Sequence, residues 1–184
     1  MKESELAHKY LDGLLGIEIG ASSHNPFNIP KCINVDYAID AQNNDSKSNR
    51  ARVDIVARAE NLPFKDGSLD YVLSSHVLEH CYDVIGTLKE WMRVVRIGGY
   101  VFFIIPHKER TFDRNRERTP ISELIGRHSG KINSPDKDDP NIHHSVWITA
   151  DILQLAVYLK FKVASFLDVD DKVGNGALFI LQKD

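Results

Sequence analysis

The stretch GIEIGASSHNPF, residues 16–27, leads an apolar run into Gly20. A glycine at the end of such a run lets the backbone approach a ligand closely, because no Cβ intervenes. A second apolar run, CINVDYA at 32–38, contains Asp36, sixteen positions after Gly20. An ionised carboxylate only accepts hydrogen bonds, so its two oxygens suit the paired hydroxyls of a ribose. Ser22 occupies the place where the second glycine of a nucleotide loop usually falls, so the loop is poor in the amides that cradle a pyrophosphate.

His76, Glu79 and His80 recur at i, i+3 and i+4, which is one face if the segment is helical. Imidazole and carboxylate at that spacing can bind a divalent metal, but a hydrogen-bonded structural cluster is the reading adopted, and no metal is expected. His107 directly follows Pro106 and is a candidate general base, since imidazole titrates near working pH; the alternative is a solvated loop histidine. KERTFDRNRER, 108–118, sets five cationic side chains against three acids, and Arg110 and Arg114 suit bidentate phosphate or carboxylate recognition. A salt-bridged surface segment is the competing account. His143, His144 and Trp147 are further candidates for lining an acceptor pocket.

These residues need a scaffold. Residues 4–15 place Leu6, Tyr10, Leu11 and Leu14 on one helical face, with Gly16 as the stop before a strand at 17–19. Short apolar runs at 32–38, 53–57, 69–75 and 100–106 read as further strands, the kind covered on both faces of a parallel sheet. Between Asp83 and Val95, the residues Val84, Ile85, Leu88, Trp91, Met92 and Val95 fall at helical spacing, with Gly98-Gly99 as the stop. Trp91 and Met92 are therefore expected in the core.

From His107 to about Val146 the chain is charged and carries three prolines, with a helical pattern only at ISELIGRH. That length is unusual for a connection and suggests a lid or insertion at 107–146, or a partly disordered segment. Thr149 is placed to cap a helix bearing Ile152, Leu155, Ala156 and Leu159. FKVASFLDV and ALFILQKD then form a closing hairpin around DDKVGNG, so one strand must run antiparallel. The fold class expected is α/β: a Rossmann-like, doubly wound, mostly parallel seven-stranded sheet with a C-terminal antiparallel hairpin strand, one domain over 1–184.

NLPFKDGSLDYVLSSHVLEH at 61–80 and RVVRIGGYVFF at 93–103, in this order of elements, resemble class I S-adenosylmethionine-dependent methyltransferases, type 11 group, which includes quinone-pathway C-methyltransferases. EIGASSHNPF with IIPHKERTFDR and HHSVWIT is similar to members that accompany glycosyltransferases in polysaccharide pathways. The motif likeness covers residues 14–106; beyond that it is architectural.

The resemblance implies S-adenosylmethionine as cofactor. It implies that Glu18, Gly20, Ala21 and Ser22 hold the methionine end, and that Asp36 and Tyr37 meet the ribose. Ala59 and Glu60 would meet the adenine, with Ser75 and His76 at the fourth strand's end. A sulfonium cofactor has no pyrophosphate, so the loss of loop glycines is tolerable. Arg58 departs from the family's aspartate and cannot accept the adenine amino group.

The activity expected is methyl transfer, an O-methylation of a sugar, glycan precursor or other small molecule, with His107 as base. The alternatives are a catalytically silent member binding cofactor or partner and, further off, a nicotinamide oxidoreductase, which predicts a full GxGxxG that is absent. A net charge of −3, with 42% apolar and 27% charged residues, gives no general attraction to nucleic acid or anionic membrane. MKESELAHKY lacks a signal peptide's apolar stretch and the longest apolar run is too short to span a bilayer, so a cytoplasmic protein is expected. Cys32 and Cys81 are expected as buried free thiols.

Overall fold

A computed structural model describes residues 4–21, 27–37 and 52–184. Seven strands form one sheet in the order β3-β2-β1-β4-β5-β7-β6. These are β1 (Gly16–Ile19), β2 (Ile33–Asp36), β3 (Ile55–Val56), β4 (Leu69–Ser75), β5 (Val95–Pro106), β6 (Lys162–Leu167) and β7 (Gly176–Gln182). The first five run parallel, and β7 lies antiparallel between β5 and β6. The expected doubly wound sheet with an antiparallel C-terminal hairpin is thus present.

The sheet is buried on both faces because its central strands are mostly apolar on both. Val101, Phe103 and Ile105 of β5 join one core cluster and Phe102 and Ile104 the other, the period-2 alternation of a strand. On the first face pack α2 (Val84–Val94), α3 (Ile121–His128) and α4 (Thr149–Leu159). Trp91 is fully buried and Met92 nearly so, as expected of core residues. On the second face lie α1 (Glu5–Leu11) and residues 27–29, which contribute Ala7, Leu11, Phe27 and Ile29. Phe27 and Ile29 do the covering that a first crossover helix usually does; the described residues between β1 and β2 contain no helix.

Several stops and caps differ from the sequence reading. The first helix ends at Leu11 before a turn at Asp12 and Gly13, not at Gly16. Gly16 begins β1, where a Cβ would lie 2.5 Å from the ring and carbonyl of Tyr71. Close strand packing, not helix termination, requires glycine there. Gly98 and Gly99 do not end α2, since Val95 passes straight into β5 and both glycines lie within it. Thr149 is inside α4, not its cap: Asp151 accepts the Ile148 N–H at 3.0 Å, and the Thr149 hydroxyl donates to Asp168.

Residues 107–146 are described throughout and stitched to the body. Lys108 N–H donates to the Trp147 carbonyl at 2.8 Å and Thr119 N–H to Val146 at 2.9 Å. Leu124 of α3 reaches the main core. Among the described residues no helix is long and apolar enough to cross a membrane. Both cysteines are free; Cys81 is buried and Cys32 only half-buried, and burial pushes each thiol up to about 12.

Candidate active site

The chain order of the sheet reverses at β1, which has β2 on one side and β4 on the other. Ligands of such sheets bind outside the carboxyl ends of the strands at that point. Gly20 N–H donates to the Val35 carbonyl at 2.9 Å, so Gly20 and Asp36 sit side by side at the ends of β1 and β2. Gly20 has φ +76°, and a Cβ there would come within 2.4 Å of the Val77 side chain. Only glycine satisfies both conditions. The Asp36 carboxylate is buried at this corner and accepts the Tyr37 N–H at 2.7 Å, while the Tyr37 side chain is exposed. Ser75 pairs with Ile104 in the sheet, and His76 follows with its N–H on the Ile104 carbonyl at 2.9 Å. The sequence-predicted cofactor residues Gly20, Asp36, Ser75 and His76 thus converge on one end of the sheet, and Ala21 is buried beside them. An acceptor-only carboxylate next to an obligatory glycine fits an adenosyl ribose. Ser22 lies outside the described residues.

Glu18 points into the second face. It accepts the Phe27 N–H at 3.2 Å, and burial pushes its carboxyl up to about 7, against the pull of Lys172 and of that hydrogen bond. Lys172, from the β6–β7 connection, is itself buried with Nζ 3.7 Å from the Phe27 ring centroid. Four backbone N–H groups on Asp170, those of Lys172, Val173, Gly174 and Gly176, fix that connection. The Ala59 carbonyl, expected from the sequence to meet the adenine, accepts the Trp91 Nε1–H at 2.9 Å. Glu60 is held by Arg58 at 2.5 Å.

A cavity of about 380 Å³ opens at the ends of β4 and β5, lined by His76, Glu79, His80, Pro106, Thr111, Phe112, His143 and Asn175. His76 adopts φ +55°, and Leu78–His80 form one 3-10 turn, so His76, Glu79 and His80 do not share a regular α-helical face. They converge nonetheless. Glu79 is fully buried, with His76 Nδ1 at 3.3 Å and His80 Nε2 at 3.9 Å from Oε1. His143 arrives from the far end of the 107–146 segment, its ring 4.7 Å from that of His80. Asp113, buried and invisible to the sequence reading as a site residue, accepts from His143 Nδ1 at 2.7 Å. Arg116 holds both Asp113 Oδ1 and the His143 carbonyl at 2.7 Å.

Other sequence candidates lie elsewhere. His107 does not line the cavity: it is buried, its Nδ1 accepts the Glu109 N–H at 3.3 Å, and its Nε2 faces Asp168 at 3.9 Å. Burial and the nearby Arg110 hold its pKa below the ordinary imidazole value. It caps a turn. Arg110 is likewise structural, gripping Asp168 and the Gly176 carbonyl. Arg114 is exposed, and its carbonyl accepts from Lys108. His144 sits outside the cavity with Nε2 on the Asp139 carbonyl and its ring against Tyr82. Trp147 is 1% exposed and belongs to the core. Thr111, Phe112 and Asn175 also line the cavity; the first two lie in the 108–118 stretch, of which the sequence reading singled out only Arg110 and Arg114.

Residues 20–103 match the family described as "Methyltransferase domain". Among curated proteins, a malonyl-[acyl-carrier protein] O-methyltransferase of Marinomonas is 43% identical over 49 residues, 27% of this chain and 18% of its own length. A protein of Mycobacterium tuberculosis named probable S-adenosylmethionine-dependent methyltransferase is 27% identical over 133 residues, 72% of this chain and 44% of its own. The matches thus span less than half the length of these curated relatives. The solved structure of a SAM-dependent methyltransferase from Methanosarcina mazei superposes with a TM-score of 0.62 at 15% identity, covering 100% of this chain and 99% of that one, which shows the shared fold.

Proposed function

With residues 20–103 a methyltransferase domain on the class I, S-adenosylmethionine-dependent fold, we propose that this chain methylates a hydroxyl of a small acceptor, a sugar or glycan precursor, held in the cavity at the ends of β4 and β5. The observation that carries the reading is the position of that cavity. It adjoins the end of β4, the strand next to β1 and the Gly20–Asp36 corner, and its wall is rich in imidazoles.

When bound, S-adenosylmethionine supplies a methyl on a positively charged sulfur, and transfer leaves the sulfur as a neutral thioether. The chain's residues then have to align the acceptor, exclude water and remove one proton. Asp36 and Gly20 seat the adenosyl end. His76 borders both the β4 end and the cavity, and its Nδ1 faces Glu79 at 3.3 Å. We assign the His76 imidazole, at the rim of the cavity, as the acceptor of the hydroxyl proton in place of His107. The polar groups of Thr111 and Asn175 and the exposed ring of Phe112 suit a polyhydroxylated ring with one apolar face.

A catalytically silent, cofactor-binding chain is the second reading, favoured by Glu18 being already engaged by Phe27 and Lys172. Isothermal titration with S-adenosylhomocysteine, followed by mass-spectrometric product analysis against sugar, quinone and phenol panels, separates the readings. Saturable binding with one added methyl on a sugar hydroxyl is expected. No binding at millimolar ligand overturns both cofactor-using accounts, and binding without any product leaves the silent one.

A further inference from the structure

We propose that Glu79, His80 and His143 bind one divalent first-row metal ion at the floor of the acceptor cavity. The inference deepens the function above, on which it relies for the cavity's role, but the ion-binding geometry stands independently. The sequence reading expected no metal and offered His76, Glu79 and His80 as the weak alternative set. The folded chain substitutes His143 for His76.

One ligand atom from each of Glu79, His80 and His143 lies within 4.8 Å of the others. The second observation is the state of Glu79. Its carboxylate is fully buried, and neither oxygen makes a hydrogen bond among the described residues. Buried polar groups are almost always satisfied, and a buried carboxylate most of all, so this one calls for a cation. The nearby basic groups are imidazoles, charged only when protonated.

The surrounding contacts orient both histidines as ligands. His80 Nδ1 lies 3.1 Å from the Ile142 carbonyl, which can only accept, so the proton is on Nδ1 and the Nε2 lone pair turns toward Glu79. Asp113 does the same to His143 through Nδ1 at 2.7 Å, the carboxylate–histidine–metal arrangement of known metal sites. The His144 N–H donates to the Glu79 carbonyl at 2.7 Å and so ties the two ligand segments together. Two imidazoles and a carboxylate suit zinc or manganese better than magnesium or calcium, which prefer all-oxygen sites. Three protein ligands leave positions open to the cavity, where an acceptor oxygen would complete the shell.

The test is calorimetric titration of the chelator-stripped full chain with zinc, and with magnesium for comparison. One equivalent of zinc should bind. Magnesium should bind far more weakly. His143→Ala and Glu79→Gln should each weaken zinc binding by at least about 100-fold, and Asp113→Asn by roughly 10–100-fold. His8→Ala, on α1 at the opposite face, should change nothing. X-ray absorption at the zinc edge should report two imidazole nitrogens. No zinc binding at millimolar ion overturns the proposal, as does binding that survives both His143→Ala and Glu79→Gln. S-adenosylhomocysteine titrated into the same samples keeps the two readings apart: its binding without zinc uptake fails only the metal site, and zinc uptake without it fails only the methyltransferase reading.

Discussion

Asp113 and His143 meet through an Oδ2–Nδ1 contact of 2.7 Å, although 30 positions of chain separate them. A buried carboxylate on Nδ1 fixes the tautomer and the ring plane, which turns Nε2 to the cavity. Asp113→Ala is expected to lower methyl transfer about 10–100-fold while leaving S-adenosylhomocysteine affinity unchanged. Turnover at saturating cofactor, measured beside a cofactor titration, checks the split; equal losses in both would show a purely structural role.

Asp36 is expected to govern cofactor affinity. Hydrogen bonds to a charged acceptor are worth roughly 1.5–3 kcal/mol, so Asp36→Ala should weaken S-adenosylhomocysteine binding about 10–100-fold. Turnover at saturating cofactor should fall much less. Titration calorimetry on the variant reads this directly.

At Gly20, two obstacles add. A side chain there meets the left-handed backbone and the Val77 methyl at 2.4 Å. Gly20→Ala should cost about 1–3 kcal/mol of stability. Val77→Ala in the same chain should recover the steric part but not the backbone part, giving partial rescue in a denaturant double-mutant cycle. Full additivity of the two changes would contradict the contact.

Glu18 makes stability and cofactor binding respond oppositely to pH. Its folded pKa of about 7 lies above the ordinary 4.5, so the folded state binds the proton more tightly. Its contribution to stability is fully present below about 4.5 and is lost as pH rises through about 7. Attraction for the cofactor's ammonium needs the carboxylate, so S-adenosylhomocysteine affinity should rise over the same window. Glu18→Gln is expected to flatten both trends, followed by thermal melts and titrations across that range.

His107 offers the contrasting case. Its Nδ1 accepts the Glu109 N–H and its Nε2 faces Asp168, outside the cavity. His107→Gln should lower the melting temperature yet leave the pH profile of turnover in place, whereas His76→Gln should lower turnover about 100-fold or more with the melting temperature unchanged. A profile that changes in His107→Gln would restore the base expected from sequence.

How far the sequence alone reached follows the range of the interactions involved. Apolar runs and helical periodicity are local, and they announced β4 at 69–75 and α3 at 121–128 with the bounds the structure has. The neighbouring positions of Gly20 and Asp36 were legible too, because strand order in a doubly wound sheet dictates which strand ends adjoin. The caps and stops at Gly16, Gly98 and Thr149 were misread, because glycine and threonine serve close packing and side-chain contacts as readily as helix ends. The cavity lay beyond reach. Glu79 and His80 come from the turn after β4, Asp113 from the turn after β5, and His143 from the far side of α3; no spacing rule links them. Lys172 reaches Glu18 only because four N–H groups on Asp170 bend the β6–β7 connection back. Local pattern records which face of each element must leave water, and so determined the sheet and its Gly20–Asp36 corner. Which polar side chains converge in the acceptor cavity depended on how the 107–146 segment packs, a long-range outcome that only the tertiary structure decided.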